Sequence, residues 1–185
     1  MIDDILLEAE EKMEKAIDVA KEDFGAIRTG RANPALFHKI MVDYYGAPTP
    51  LQQLASIQVP EARMVLITPF DKTATKDVEK ALRQSSLGLN PSEDGGVLRI
   101  NLPELTQERR KEYIKIAREK GEHGKVSMRN IRRHAKDQID KLVKDGGVGE
   151  DEGTRAEKEL ETLTKKYTDQ VDVLLKGKES ELLEV

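Results

Sequence analysis

RTGRANPALF, Arg28–Phe37, lies between a long run with helical period and a run with strand period. Arg28, Gly30, Arg31 and Pro34 fall within it. Such a stretch is either a phosphate-binding loop or a joint between two bodies, and the flanking sequence decides between them.

Upstream, Ile2, Ile5, Leu6, Ala9, Met13, Ala16, Ile17, Ala20, Phe24 and Ile27 recur at steps of three and four. This is one apolar stripe, and it predicts a helix about 40 Å long. Thr29-Gly30 is the expected stop, with glycine taking the left-handed cap, and Pro34 opposes a restart. Downstream of Lys39 the period becomes two: Ile40, Val42 and Tyr44 alternate with Met41, Asp43 and Tyr45. YGAPTP then reads as a turn. Ala55–Val59 and RMVLIT (Arg63–Thr68) read as strands, the second central because it is nearly all apolar. Thr73–Gln84 reads as a short helix, SEDGG as a turn and VLRINL (Val97–Leu102) as a strand closed by Pro103.

Helical period returns at Leu105 and runs to about Asp145, where GGVG breaks it. A third helix carries Ala156, Leu160, Leu163, Tyr167, Val171 and Leu174 on one face. Gly121 and Gly124 fall on the apolar side of the second helix, marking a close neighbour or a bend. Three long amphipathic helices must bury their stripes on one another. The fold class is therefore α+β: a long antiparallel three-helix bundle, residues 1–29 and 104–185, with a small β/α/β domain, residues 30–103, inserted. The chain crosses between the two near 29–34 and near 102–106. RTGRANP reads as a joint, with hinge motion favoured over a rigid corner.

Charged residues make up 36% of the 185-residue chain and aromatics 4%, which favours long solvated helices. Cysteine is absent, so thiolate sites and disulfides are excluded and a reducing compartment fits. The opening MIDDILLEAEEK is acidic, unlike a signal or transit peptide. No apolar run reaches the ~20 residues that cross a bilayer. The net charge of −4 hides an asymmetry: residues 104–145 carry 13 basic and 8 acidic side chains, whereas 1–29 and 146–185 are strongly acidic.

On a helical wheel of the second helix, Lys111, Arg118, Lys125, Arg129, Arg132 and Lys136 form one stripe beside the core sector. Arg133 flanks it and Arg110 lies toward the opposite edge. Such a stripe suits a phosphate backbone, and arginine adds bidentate pairing and base stacking. Equally, these cations could pair with carboxylates on neighbouring helices. Enzyme signals are weak. His38, His123 and His134 lack metal-ligand spacing, and GEHGK lacks the spacing of a phosphate-cradling loop. The acidic faces elsewhere favour one RNA shape over any nucleic acid.

RTGRANP, YYGAPTPLQQLASI, FDKTATKDVEKAL with LGLNP, LPELTQERRKEYIK and VSMRNIRR occur in this order, and the set resembles bacterial ribosome recycling factor over essentially the whole chain. Asn33 and His134 depart from residues common in the family. The resemblance implies an L-shaped molecule with a tRNA-like outline and no enzymatic activity. It implies a cytoplasmic, monomeric factor without cofactor. That factor occupies the tRNA-site region of the post-termination ribosome and splits it with elongation factor G and GTP. Arg132 and Arg129 match rRNA-contacting arginines of the family, with Arg110 and Arg133 as further candidates beside Lys125, Arg118 and Lys136 of the stripe. Arg28, Thr29, Gly30, Arg31, Pro34 and Pro103 would form the hinge, although Arg31 could instead touch RNA. A coiled-coil adaptor and a general RNA chaperone are the competing classes, and neither accounts for the inserted domain.

Overall fold

The structure is a computed structural model and describes residues 1–184. In chain order its elements are α1 (Ile2–Gly25), β1 (Met41–Tyr44), β2 (Ala47–Pro50), α2 (Leu51–Leu54), β3 (Ala55–Glu61), β4 (Met64–Pro69), α3 (Thr75–Gln84), β5 (Ser92–Asp94), β6 (Val97–Asn101), α4 (Gln107–Lys144) and α5 (Glu150–Leu183). Two compact units result. The first comprises Met1–Phe24 and Lys115–Glu179; the second comprises Gly25–Ile114 with the residues from Ser180 onward. Both α4 and α5 contribute to both units.

The first unit is built on three helical stripes. Ala9, Met13 and Ile17 of α1 pack with Met128, Ala135 and Ile139 of α4 and with Ala156, Leu160, Tyr167 and Val171 of α5. Met13, Met128 and Val171 are fully enclosed. Burying each such side chain contributes about 1.5–3 kcal/mol. Met1 and Ile2 lie beside Val148 and Ala156, and Glu14 reaches Tyr167, so α1 runs parallel to α5. α4 turns back into α5 through a Schellman cap. Gly146 is left-handed (φ 78°), its N–H donates to the carbonyl of Val143, and the N–H of Gly147 donates to that of Leu142. Gly121 and Gly124 mark a close approach. A Cβ at Gly121 would lie 3.0 Å from Leu175, and one at Gly124 would lie 3.3 Å from Val171.

The second unit holds a four-stranded antiparallel sheet in the order β3-β4-β6-β5 and a β1-β2 hairpin. β4 is internal, paired on both sides, as its apolar run predicts. Its Val65 and Ile67, with Leu98 and Ile100 of β6, are fully buried in one core with Val78 and Leu82 of α3.

Three expectations need correction. α1 stops at Gly25, before Thr29-Gly30, and Gly30 is not left-handed. The apolar period misleads because Ile27 is buried although it stands in irregular chain past the end of α1, in the second unit. A Cβ at Gly25 would sit 3.1 Å from the Ala35 Cβ, so the helix ends where the backbone meets the Pro34–Phe37 turn. Within YGAPTP only Tyr45-Gly46 is the turn. Both are left-handed (φ 51° and 78°), as a two-residue hairpin requires, and Ala47–Pro50 is strand β2. Likewise Ser92–Asp94 pairs as β5, and the turn is Gly95-Gly96.

Candidate nucleic-acid interface

α4 presents its cations unequally. Arg118 Nε lies 3.0 Å from the Glu179 carboxylate and Lys125 Nζ lies 2.5 Å from that of Asp172, both on α5. Arg129 pairs with Glu122 of its own helix at 3.2 Å. Lys136 is held by Asp140 at 2.9 Å and Glu157 at 3.7 Å, and the Asp140 hydrogen bond raises its pKa. Arg132 and Arg133 have no carboxylate partner among the described residues. The two readings of the stripe therefore divide by residue: among the described residues four of its six cations are paired, and Lys111 and Arg132 are not. Solvent-exposed pairs of this kind are worth only about 0–1 kcal/mol, so an RNA phosphate can displace them.

Arg132 opens into a groove between α4 and α5. Lys125 and Arg129 line it from α4, and Lys165, Thr168 and Asp172 line it from α5. The α5 residues were missing from the sequence reading. Only the antiparallel register of α4 and α5 reveals them.

Arg110 belongs to the second unit, where its Nε is buried without a hydrogen-bond partner among the described residues. The sequence-predicted joint residues also lie in this unit and converge on the β3-β4 turn. The N–H of Ala32 donates to the carbonyl of Ala62 (2.6 Å), and the N–H of Leu102 donates to that of Arg63 (2.8 Å). Thus both segments, 29–34 and 102–106, are tied to adjacent residues of one turn within this unit. Arg28, 6% exposed, donates from Nη2 to the carbonyl of Pro103. The Thr29 hydroxyl and the Arg31 backbone are 3.3 Å apart. Asn33 caps the following turn, accepting from the N–H of Ala35 at 3.0 Å, and Pro34 takes its first position. Gly30 stands beside Glu184 without close contact.

Among the described residues no His/Cys/Asp/Glu group could hold a metal ion, and no helix is long and apolar enough to cross a membrane.

The ribosome recycling factor family model matches residues 20–183. The chain is 72% identical to the ribosome-recycling factor of Kineococcus radiotolerans and 68% identical to that of Streptomyces coelicolor, each over the full length of both chains. It is similar to a solution structure of ribosome recycling factor, with TM-score 0.77 and 41% identity, covering 100% of this chain and 98% of that one. A second similar structure belongs to models of the T. thermophilus ribosome recycling factor and E. coli elongation factor G bound to the E. coli post-termination complex. Its TM-score is 0.70 and its identity 42%, with both chains covered in full. With a family match across 20–183 and full-length relatives at this identity, the chain belongs to the ribosome recycling factor family.

Proposed function

We propose that this chain binds the post-termination ribosome in the tRNA-site region and, with elongation factor G and GTP, separates it into subunits for reuse. The observation that carries the RNA side of this reading is Arg132, which stands on a long helix with no carboxylate partner among the described residues, in a groove with Lys125, Arg129 and Lys165. Arg132 and Arg129 take large-subunit rRNA phosphates near an intersubunit bridge, with Arg133, Lys125, Arg118 and Lys136 around them and Arg110 as a further contact. Arginine suits this role because its planar fork matches phosphate geometry. GTP chemistry belongs to the elongation factor; this chain needs to bind, stay stiff and transmit force. α4, with 38 residues, supplies a stiff lever. Arg28, Thr29, Gly30, Arg31, Pro34 and Pro103 form the joint through which displacement of the inserted domain reaches the bundle. The factor works in the cytoplasm as a monomer.

The test is light scattering of post-termination ribosomes mixed with this protein, elongation factor G and GTP. Splitting that requires both proteins is the expected result. Ribosomes that stay intact, with a cognate elongation factor present, would refute the reading.

A further inference from the structure

The α4–α5 seam carries a ladder of ion pairs with one gap. Arg118 meets Glu179 and Lys125 meets Asp172, so seven residues forward on α4 correspond to seven back on α5. Continuing in this register sets Arg129 against Thr168 and Arg132 against Lys165. Beyond the gap carboxylates return: this register sets Lys136 against Glu161, and Lys136 pairs with Glu157, one turn nearer the start of α5, at 3.7 Å. At the gap, then, α5 offers an uncharged residue and a cation where it elsewhere offers carboxylates. The groove lined by Arg129, Arg132, Lys165 and Thr168 opens at this place.

We infer that Lys165 of α5 joins Arg129 and Arg132 of α4 in a seat for one RNA phosphodiester, and that Thr168 keeps the seat open by withholding a carboxylate. This rests on the ribosome-binding reading above and extends it to a second helix. Arg129 and Lys165 are paired only within their own helices and Arg132 has no carboxylate partner among the described residues, so three cations crowd one groove and a phosphate relieves their repulsion. Lys165 is exposed, and among the described residues its ion pair is with Asp169 one turn on, at 3.0 Å. That surface pair yields readily to a phosphate. Glu161 and Asp172 also line the groove and limit how much backbone enters it. The ladder thus has a selective purpose. Carboxylates cover the neighbouring cations, so indiscriminate RNA finds few open charges.

The test is equilibrium binding of purified large ribosomal subunits to the full chain at fixed salt. Thr168→Glu completes the ladder opposite Arg129 and should weaken binding at least tenfold. The helix should persist because glutamate is the better helix former. Thr168→Gln, of matching bulk without charge, should bind within twofold of wild type. Lys165→Glu should lose at least tenfold, and Lys158→Glu, outside the groove, less than twofold. Thr168→Glu binding like wild type while Arg132→Ala fails to bind would overturn the α5 half of the seat and leave the ribosome-binding reading intact. Equal losses for Thr168→Gln and Thr168→Glu would also overturn it, since bulk rather than charge would then decide. Wild type failing to bind would overturn both.

Discussion

Arg28 and Pro103, 75 positions apart in the chain, are joined by a hydrogen bond from the guanidinium Nη2 to the carbonyl oxygen. Arg28 is 94% removed from solvent and has no carboxylate partner among the described residues. Burial lowers its pKa from the usual arginine value, and the nearby Arg63 and Arg109 push the same way. Its Nε has no acceptor. The cation is therefore held by one carbonyl and by packing, and that carbonyl lies between β6 and α4.

Removing Arg28 should loosen this clasp. Arg28→Ala deletes a charge-assisted hydrogen bond and the packing of the side-chain stem, and should cost on the order of 2 kcal/mol. Arg28→Met retains most of the stem and relieves the buried charge, so it should cost less, because burying an unpaired ion is itself unfavourable. Urea denaturation of the three proteins gives the order. Arg28→Met as damaging as Arg28→Ala would show that the charge, not the stem, holds the Arg28–Pro103 contact.

Glycines separate by what surrounds them. A Cβ at Gly153 would lie 2.5 Å from Cγ2 of Val143, a stiff β-branched side chain, so Gly153→Ala should destabilise by about 1–3 kcal/mol despite better helix propensity. Gly177 sits in α5 with nothing near, so Gly177→Ala should stabilise by about 0.5–1 kcal/mol. Gly30 has neither positive φ nor a crowded neighbour, so Gly30→Ala should change stability by less than about 0.5 kcal/mol. Thermal melts of the three variants check all three signs.

The long helices were legible because a 3.6-residue stripe over many turns has few competing explanations. β4 was legible because RMVLIT carries four apolar residues in a row, Met64–Ile67, with polar residues only at its ends. β2 was hidden because Pro48 and Pro50 carry turn chemistry. A hairpin strand lacking a second neighbour tolerates prolines that a central strand would reject. β5, Ser92–Asp94, is exposed at every residue and leaves no apolar trace. In the candidate site the α4 cations were legible from one helix alone. Their partners were not, because pairing Lys125 with Asp172 requires the register between two helices separated by a loop.

Tyr167 makes stability depend on alkaline pH. Its ring is 3% exposed, its hydroxyl donates to Glu14 Oε1 at 3.2 Å, and its pKa is pushed up to about 12, first by burial and then by the Glu14 charge. An unfolded tyrosine ionises near 10. Below pH 10 both states keep the proton and the stabilisation is complete. Between about 10 and 12 only the unfolded chain releases it, so stability falls as pH rises, by on the order of 2 kcal/mol in total. Tyr167→Phe should flatten this part of the profile. Denaturation midpoints for both proteins between pH 9 and 12 measure the difference, and parallel profiles would refute it.

The paired and unpaired arginines should differ in how they contribute to ribosome binding. Arg132 has no carboxylate ion-pair partner among the described residues, so its charge is available to a phosphate. Arg118 must first leave Glu179, with which it also shares a 3.0 Å hydrogen bond. Arg132→Ala should therefore weaken binding at least tenfold and reduce the slope of log affinity against log salt by about one, without altering the melting temperature. Arg118→Ala should lose less. Glu179→Gln should bind more tightly than wild type, because it frees Arg118 from its competitor. These three variants, titrated against large subunits at several salt concentrations, separate an open cation from a held one. Equal losses for Arg118→Ala and Arg132→Ala would mean that the ion-pair ladder does not govern which cations reach the RNA.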